Sequence, residues 1–178
     1  VRDTADPWFD NVSLLLQPAA GDTVIEDKSP NAHSITNNGV SLDSTNQKWN
    51  GAASMLFQAS NSDDLIIADS EKWFFDSFDF TIEGFLLTID AANNFYGIYG
   101  QFEDSSNNFQ FRTNASNTVS DGKFWTRVKS GVSTLYEFAD ATGDWTDDGS
   151  WVHFALTRQS DTSRLFLKGA LLTSYINS

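Results

Sequence analysis

Between Gly149 and Gly169 the chain alternates apolar and polar positions almost one for one. Val152, Phe154 and Leu156 interleave with Trp151, His153, Ala155 and Thr157. After the wholly polar stretch Gln159-Ser-Asp-Thr-Ser163, Leu165 and Leu167 interleave with Arg164, Phe166 and Lys168. A period of two belongs to a strand with one face in a core and the other turned outward. The two runs therefore predict an antiparallel hairpin closed by the polar stretch. The same alternation over Asp79 to Leu87 places Phe80, Ile82 and Leu86 on one face and Thr81, Glu83, Phe85 and Leu87 on the other. Val152, Phe154, Leu156, Leu165, Leu167, Phe80 and Ile82 are the predicted core between two sheets.

Four further runs read as a meander: Phe95 to Phe102, Asn108 to Thr113, Lys123 to Lys129 and Val132 to Phe138. Their predicted turns are Asp104-Ser-Ser-Asn-Asn108, Ser120-Asp-Gly122 and Ser130-Gly131. Upstream, Val12 to Gln17 contains three successive Leu and reads as a strand stopped by Pro18, and Thr23 to Asp27 as a short strand before a Lys28-Ser-Pro-Asn31 turn. Ser34 to Thr36 and Val40 to Leu42 flank Asn37-Asn-Gly39, a strong hairpin signal. Ser70 to Phe75 suits one helical turn capped by Ser70. No linker or repeat divides residues 1–178, so the expectation is a single all-β domain, an antiparallel β-sandwich.

Composition narrows the function classes. Fifteen Phe and six Trp suit strands, and a 40% hydrophobic content argues against disorder. The net charge of −13 argues against a nucleic-acid or anionic-membrane partner, because both call for a basic face. It suits a solvated exterior or cation binding. The absence of Cys excludes disulfides, thiolate metal sites and Cys nucleophiles. No run approaches the roughly 20 apolar residues of a membrane helix, so membrane insertion is not expected. The opening Val1-Arg-Asp-Thr-Ala-Asp6 shows no signal peptide; a cleaved signal and a chain that was never secreted both stay open.

Several segments, taken in order, carry a resemblance. Asn11-Val-Ser-Leu-Leu-Leu16, Asp27-Lys-Ser-Pro-Asn-Ala-His-Ser-Ile-Thr-Asn-Asn-Gly39 and Lys48-Trp-Asn-Gly-Ala-Ala-Ser-Met-Leu-Phe57 come first. Asp64-Leu-Ile-Ile-Ala-Asp-Ser70, Asp79-Phe-Thr-Ile-Glu-Gly-Phe85 and the Trp151–Gly169 hairpin follow. Together the chain resembles the concanavalin A-like, laminin-G-like jelly rolls, of the kind found in structural proteins of tailed phages. The resemblance implies a lectin-like jelly roll at a virion surface. It also implies a structural Ca²⁺ held near the Asp27–Asn31 loop; a solvated acidic turn is the competing reading there. In that family two more strands follow the last hairpin and an Asp stands where Lys168 stands here. The expectation is therefore either a natural chain running past Ser178 or a neighbouring subunit covering a sheet edge beside Leu14 to Leu16.

Catalysis finds little support. Jelly-roll glucanases of this superfamily carry Glu-x-Asp-x-x-Glu on one strand face. The five Glu here, Glu26, Glu71, Glu83, Glu103 and Glu137, never fall in that spacing. His153 reads as a half-buried sheet residue and His33 as a solvated loop residue. A second acidic cluster, Asp140, Asp144, Asp147 and Asp148, reads as a turn. For a glycan ligand, the candidates are Glu83, Arg112 and Arg127 on a concave sheet, and Trp125 and Trp145 in loops, with aromatic rings for sugar faces and charged groups for hydroxyls. The expected function is a non-enzymatic virion surface protein, part of a homo-oligomer or larger assembly, with cell-surface glycans as partners. A secreted carbohydrate-binding or adhesion module is the alternative, and a glycoside hydrolase ranks third.

Overall fold

The alternating segments become strands in the computed structural model, which describes residues 7–58, 61–73, 75, 78–87, 95–116, 120–131, 133–139 and 149–176. The chain divides into two compact units, Val1–Phe75 and Asp76–Ser178.

The first unit contains β1 (Ile35–Asn38), β2 (Ser41–Asp43), β3 (Ser54–Leu56) and β4 (Asp64–Ile67), with 3-10 turns at Phe9–Asn11 and Glu71–Trp73. β1 pairs antiparallel with β4, and β2 with β3. The Asn-Gly corner is therefore not a hairpin turn, because its two flanking strands take different partners. Gly39 supplies the positive φ of 89° that the corner needs. The Asn37 side chain bonds both backbone groups of Val40, accepting from its N–H at 2.9 Å and donating to its C=O at 2.8 Å. One amide side chain thus takes the place of a paired strand.

Val12 to Gln17 and Thr23 to Asp27, both expected as strands, meet instead at one isolated bridge, Leu16 to Asp27. Side chains satisfy their backbone. Asp27 Oδ1 accepts from Leu15 N–H (3.0 Å) and Ser29 N–H (2.8 Å), while Oδ2 accepts from Ser29 Oγ (2.9 Å) and His33 N–H (2.8 Å). Asn31 Nδ2 donates to the carbonyls of Val12 (3.2 Å) and Ser13 (3.1 Å). The strip beside Leu14 to Leu16, expected to be an open sheet edge, is a clasped loop. His33, expected to be solvated, packs its ring 4.7 Å from that of Trp73.

The second unit is the sandwich. One sheet, in the order β12-β11-β10-β5, comprises β5 (Phe80–Leu86), β10 (Val152–Gln159), β11 (Thr162–Leu167) and β12 (Ala170–Ile176). The other is the meander β6 (Phe95–Phe102), β7 (Asn108–Ser116), β8 (Ser120–Ser130) and β9 (Ser133–Ala139). Ser120-Asp-Gly122, expected as a turn, lies inside β8. The β10–β11 hairpin forms as the alternation predicts, with Phe154 opposite Leu167 and Leu156 opposite Leu165. β10 also pairs with β5, a strand far away in sequence, with Phe154 opposite Gly84.

Phe154 joins the two sheets. Its ring lies 5.6 Å from Phe111 on β7 and 5.8 Å from Phe124 on β8, and those two stack on each other at 5.8 Å. Phe111 and Phe124 are 1% and 0% exposed. Val152, Leu156, Leu165 and Leu167 are buried as predicted, and Phe80 and Ile82 on β5 are half-buried. Gly84 leaves room for the ring: a Cβ there would sit 3.1 Å from Phe154 Cζ.

Two predictions follow from these contacts. Phe154→Ala should lower unfolding free energy by about 3–5 kcal/mol, and Gly84→Ala by about 1–3 kcal/mol through crowding of the same ring; urea titration measures both. Asp27 gives a pH-dependent prediction. Burial alone would raise its pKa, but the donors from Leu15, His33 and Ser29 outweigh that and hold it below the usual 3.8. The folded state therefore binds this proton less readily than the unfolded state. The stabilisation is complete above the ordinary carboxyl pKa and is lost as pH falls through the lowered folded value. Asp27→Asn should cost about 2–4 kcal/mol at neutral pH, because an amide N–H₂ then faces N–H and O–H donors. Its deficit against the natural sequence should shrink in acid.

Candidate functional site

Strand parity sets the outer face of the meander. Phe109, Phe111 and Thr113 of β7 and Phe124 and Thr126 of β8 point into the sandwich and are buried. Their neighbours, Gln110, Arg112, Trp125 and Arg127, therefore share the opposite face. Cross-strand pairing places Arg112 beside Trp125, Gln110 beside Arg127, and Arg127 beside Glu137 of β9. On the other flank Gly97 of β6 pairs with Arg112, and Gly100 with Gln110.

The indole of Trp125 organises this face. The Arg112 guanidinium carbon lies 3.8 Å from the ring centroid and that of Arg127 4.8 Å, both within cation–π range. The indole N–H donates to Glu137 Oε1 at 3.0 Å. The two guanidiniums cover the ring so well that Trp125 is only 7% exposed. Arg127 Nε is buried and has no acceptor within hydrogen-bonding distance. Burial, then the like charge of Arg127, lowers the pKa of Arg112, while Glu137 opposes the shift. The Glu137 carboxylate that accepts the indole N–H thus also lies close enough to Arg112 to act on its charge.

The glycines shape the β6 flank. A Cβ at Gly97 would meet nothing within 4 Å, so space opens directly beside Arg112. Gly100 allows the Phe102 ring to fold over it, since a Cβ there would come within 2.8 Å of that ring. Phe102 is 66% exposed and offers a free aromatic face at the rim. The outer face thus carries an exposed ring folded over Gly100, a bare position at Gly97 beside Arg112, and a pair of guanidiniums on the indole.

Two sequence expectations change. Trp125 lies in the middle of β8 rather than in a loop, and its ring supports arginines instead of presenting a bare stacking surface. Glu83 does not join Arg112 and Arg127: parity places it on the outward face of β5, in the opposite sheet of the sandwich. There it is exposed and its carboxylate lies 3.6 Å from His153 Nε2; His153 is half-buried as expected and also packs on Phe85 at 5.1 Å. Trp145, like Asp140, Asp144, Asp147 and Asp148, lies outside the described residues. Sequence reasoning missed Gly97, Gly100, Phe102 and Glu137. The Gly-x-x-Gly spacing inside an aromatic strand was the available signal, since glycine in a strand marks a bulge or a close approach.

Asp27 and Asn31 do not fit the calcium site that the resemblance implied. Ca²⁺ takes six to eight oxygen ligands, whereas the four protein donors on Asp27 occupy the lone pairs a cation would need. Asn31 turns its N–H₂ toward two carbonyls, an orientation that amide reversal would break. Among the described residues no three His, Asp or Glu side chains come together as a metal site. The first unit also has an open groove of about 520 Å³ walled by Phe9, Trp49, Gln17 and Asn50. Its charged lining residue, Lys28, is paired with Asp22 at 2.9 Å. No helix among the described residues is long and apolar enough to cross a membrane.

No family model matches the chain, and no curated protein sequence matches it. Solved structures do. The binding domain of botulinum neurotoxin DC, in complex with rat synaptotagmin II, is similar over 94% of this chain and 40% of its own, with a TM-score of 0.61 and 11% identity. Botulinum neurotoxin type C, whose cell entry depends on interaction with two ganglioside molecules, gives the same TM-score and identity over 93% of this chain and 39% of its own. An S-layer domain-containing protein of Clostridium thermocellum is 19% identical over 94% of this chain, at a TM-score of 0.48. The chain therefore spans about two-fifths of the length of the neurotoxin structures, and at 11% identity the likeness is one of fold: an antiparallel β-sandwich.

Proposed function

We propose that this chain is a non-enzymatic recognition module at a virion surface, binding cell-surface glycans through the outer face of the meander sheet. The observation that carries this reading is the outer face that holds both the exposed Phe102 ring and the Arg112–Trp125–Arg127 stack. An exposed ring, an empty flank at Gly97, and fixed donors on Gln110 and two arginines match the mixed apolar and hydroxyl surface of a saccharide.

The non-enzymatic part of the reading draws on Glu83, the residue nearest to a glucanase motif. It sits exposed on the other sheet with a histidine nitrogen 3.6 Å from its carboxylate, an arrangement unlike the facing carboxylates of glycoside hydrolysis. The similar neurotoxin structures include a binding domain and a protein whose cell entry depends on gangliosides, which agrees with a recognition role. The virion setting draws on the resemblance of Asn11 to Leu16 and the later motifs to tailed-phage proteins; a secreted or cell-surface adhesion module is the alternative. Membership of an assembly draws on β12. It forms one edge of its sheet with Leu171 and Ile176 exposed, and strand addition by another subunit would cover it.

A glycan array probed at high protein concentration tests the reading. Binding should appear, fall at least tenfold in Trp125→Ala, and survive EDTA, since four protein donors already engage the Asp27 carboxylate that a Ca²⁺ would need. An array blank at every glycan would overturn the glycan reading and leave a purely structural role. Sedimentation over a range of concentrations should show self-association; a monomer at every concentration argues against coverage of β12 by a second copy.

A further inference from the structure

We infer that the groove of the first unit is a second ligand site, one that takes an uncharged saccharide. The inference goes beyond the glycan reading above, because it concerns other residues on another unit.

At about 520 Å³ the groove lies within the size range of small-ligand sites. Small residues line part of it. Ala19 bridges Ala52, and beside that bridge Ala20 N–H donates to Gly51 C=O (2.9 Å) and Ala53 N–H to Pro18 C=O (3.0 Å). The turn from Trp49 to Ala52 supplies more of the lining. Ala52 N–H donates to Trp49 C=O at 3.1 Å to close it, and Gly51 provides the positive φ of 81°. The turn presents Trp49 and Asn50 together, and Trp49 is 51% exposed. Phe9, from the 3-10 turn Phe9–Asn11, adds a second ring. A single exposed Trp is ordinary on a protein surface. This one borders a cavity that also holds available hydrogen-bonding groups.

The polar groups of the lining separate into engaged and available. Lys28 Nζ is held by Asp22 Oδ2 at 2.9 Å, and that oxygen also accepts from Ala19 N–H at 2.8 Å. Ser29 Oγ donates to Asp27 and Ser13. The side-chain amides of Gln17 and Asn50, by contrast, have no protein partner among the described residues. Each offers two N–H donors and one carbonyl acceptor. A ligand therefore meets rings, two amides and an ion pair that is already neutralised, which favours an uncharged molecule. A peptide matches this lining less well. The backbone groups on either side of the Ala19–Ala52 bridge are bonded to each other, so they do not template strand addition. A polyproline segment brings carbonyl acceptors and no N–H, and would use the amide donors alone. Saccharide hydroxyls both donate and accept, and the C–H face of the sugar ring suits an indole. That chemistry uses both ends of each amide and the exposed ring together.

The test titrates cello-, malto- and chito-oligosaccharides into the isotope-labelled natural chain and follows side-chain NMR signals. At least one oligosaccharide should move the Gln17 amide, the Asn50 amide and the Trp49 indole signals together, in a saturable way. Gln17→Ala and Asn50→Ala should each weaken that binding about two- to tenfold, the contribution of one hydrogen bond. Trp49→Ala should weaken it about tenfold or more, and Trp49→Phe by less because a ring remains. Phe57→Ala, which removes another exposed ring of the first unit, should leave it unchanged. Oligosaccharides that shift none of the three signals overturn the inference, and so does binding that no groove variant weakens. A polyproline peptide that moves the three signals where every oligosaccharide fails also overturns it and assigns the groove to a peptide. The glycan reading of the meander face is judged separately, by the affinity lost in Trp125→Ala. Binding that survives that substitution should report on the three groove signals, so either reading can fail without the other.

Discussion

The contact between Phe154 and the Phe111–Phe124 pair is the constraint on which the second unit depends. It is the point where two sheets of different origin meet: one assembled from β5 and the C-terminal strands, the other a continuous meander. Each ring pair contributes about 0.5–1.5 kcal/mol beyond the burial of its area. The larger effect is geometric. Once Phe111 and Phe124 face inward, parity forces Arg112 and Trp125 outward, one residue on. The interior therefore fixes which side chains the exterior displays, and a slip of one residue in β7 or β8 would bury the arginines and expose the phenylalanines.

A different economy of bonds governs the first unit. Its strands are short, and much of its backbone is satisfied by side chains instead of partner strands. Asp27, Ser29 and Asn31 close one loop in this way, and Asn37 turns one corner. Such bonds span from two to 19 residues, so they close shorter loops, at a lower entropic cost, than the pairing of distant strands. The charge on Asp27 makes the clasp strong at neutral pH and weak in strong acid.

The strands with strict alternation, β5, β10 and β11, were legible in the sequence because burial on one face writes itself directly into a period of two. Strand membership was not. Alternation places Glu83 and Arg112 each on a definite face of its own strand, but nothing in it says that β5 and β7 belong to opposite sheets, and so the two were wrongly grouped. The Leu14–Leu16 run looked like a strand because apolar residues were counted, while the Leu15 N–H donates to the Asp27 carboxylate 12 residues away and the Leu15 C=O accepts from the Lys28 N–H. Asn37-Asn-Gly39 carried correct turn chemistry, yet the partners of the flanking strands were chosen by contacts farther along the chain. For calcium, Asp27 and Asn31 were the right residue types, but which atoms they turn inward is a property of the folded loop. Arg112, Trp125 and Arg127 were picked out for their chemistry; their stacking required the register of β7 against β8.

The Trp125 stack has a consequence for timing. Two arginine side chains in water sample many rotamers, and a ligand that needed them aligned would have to oppose that entropy at each encounter. Here the indole aligns them when the chain folds. On the function proposed above, the face is aligned before any partner arrives, so changes to the stack should alter how long a partner stays more than how fast it finds the surface.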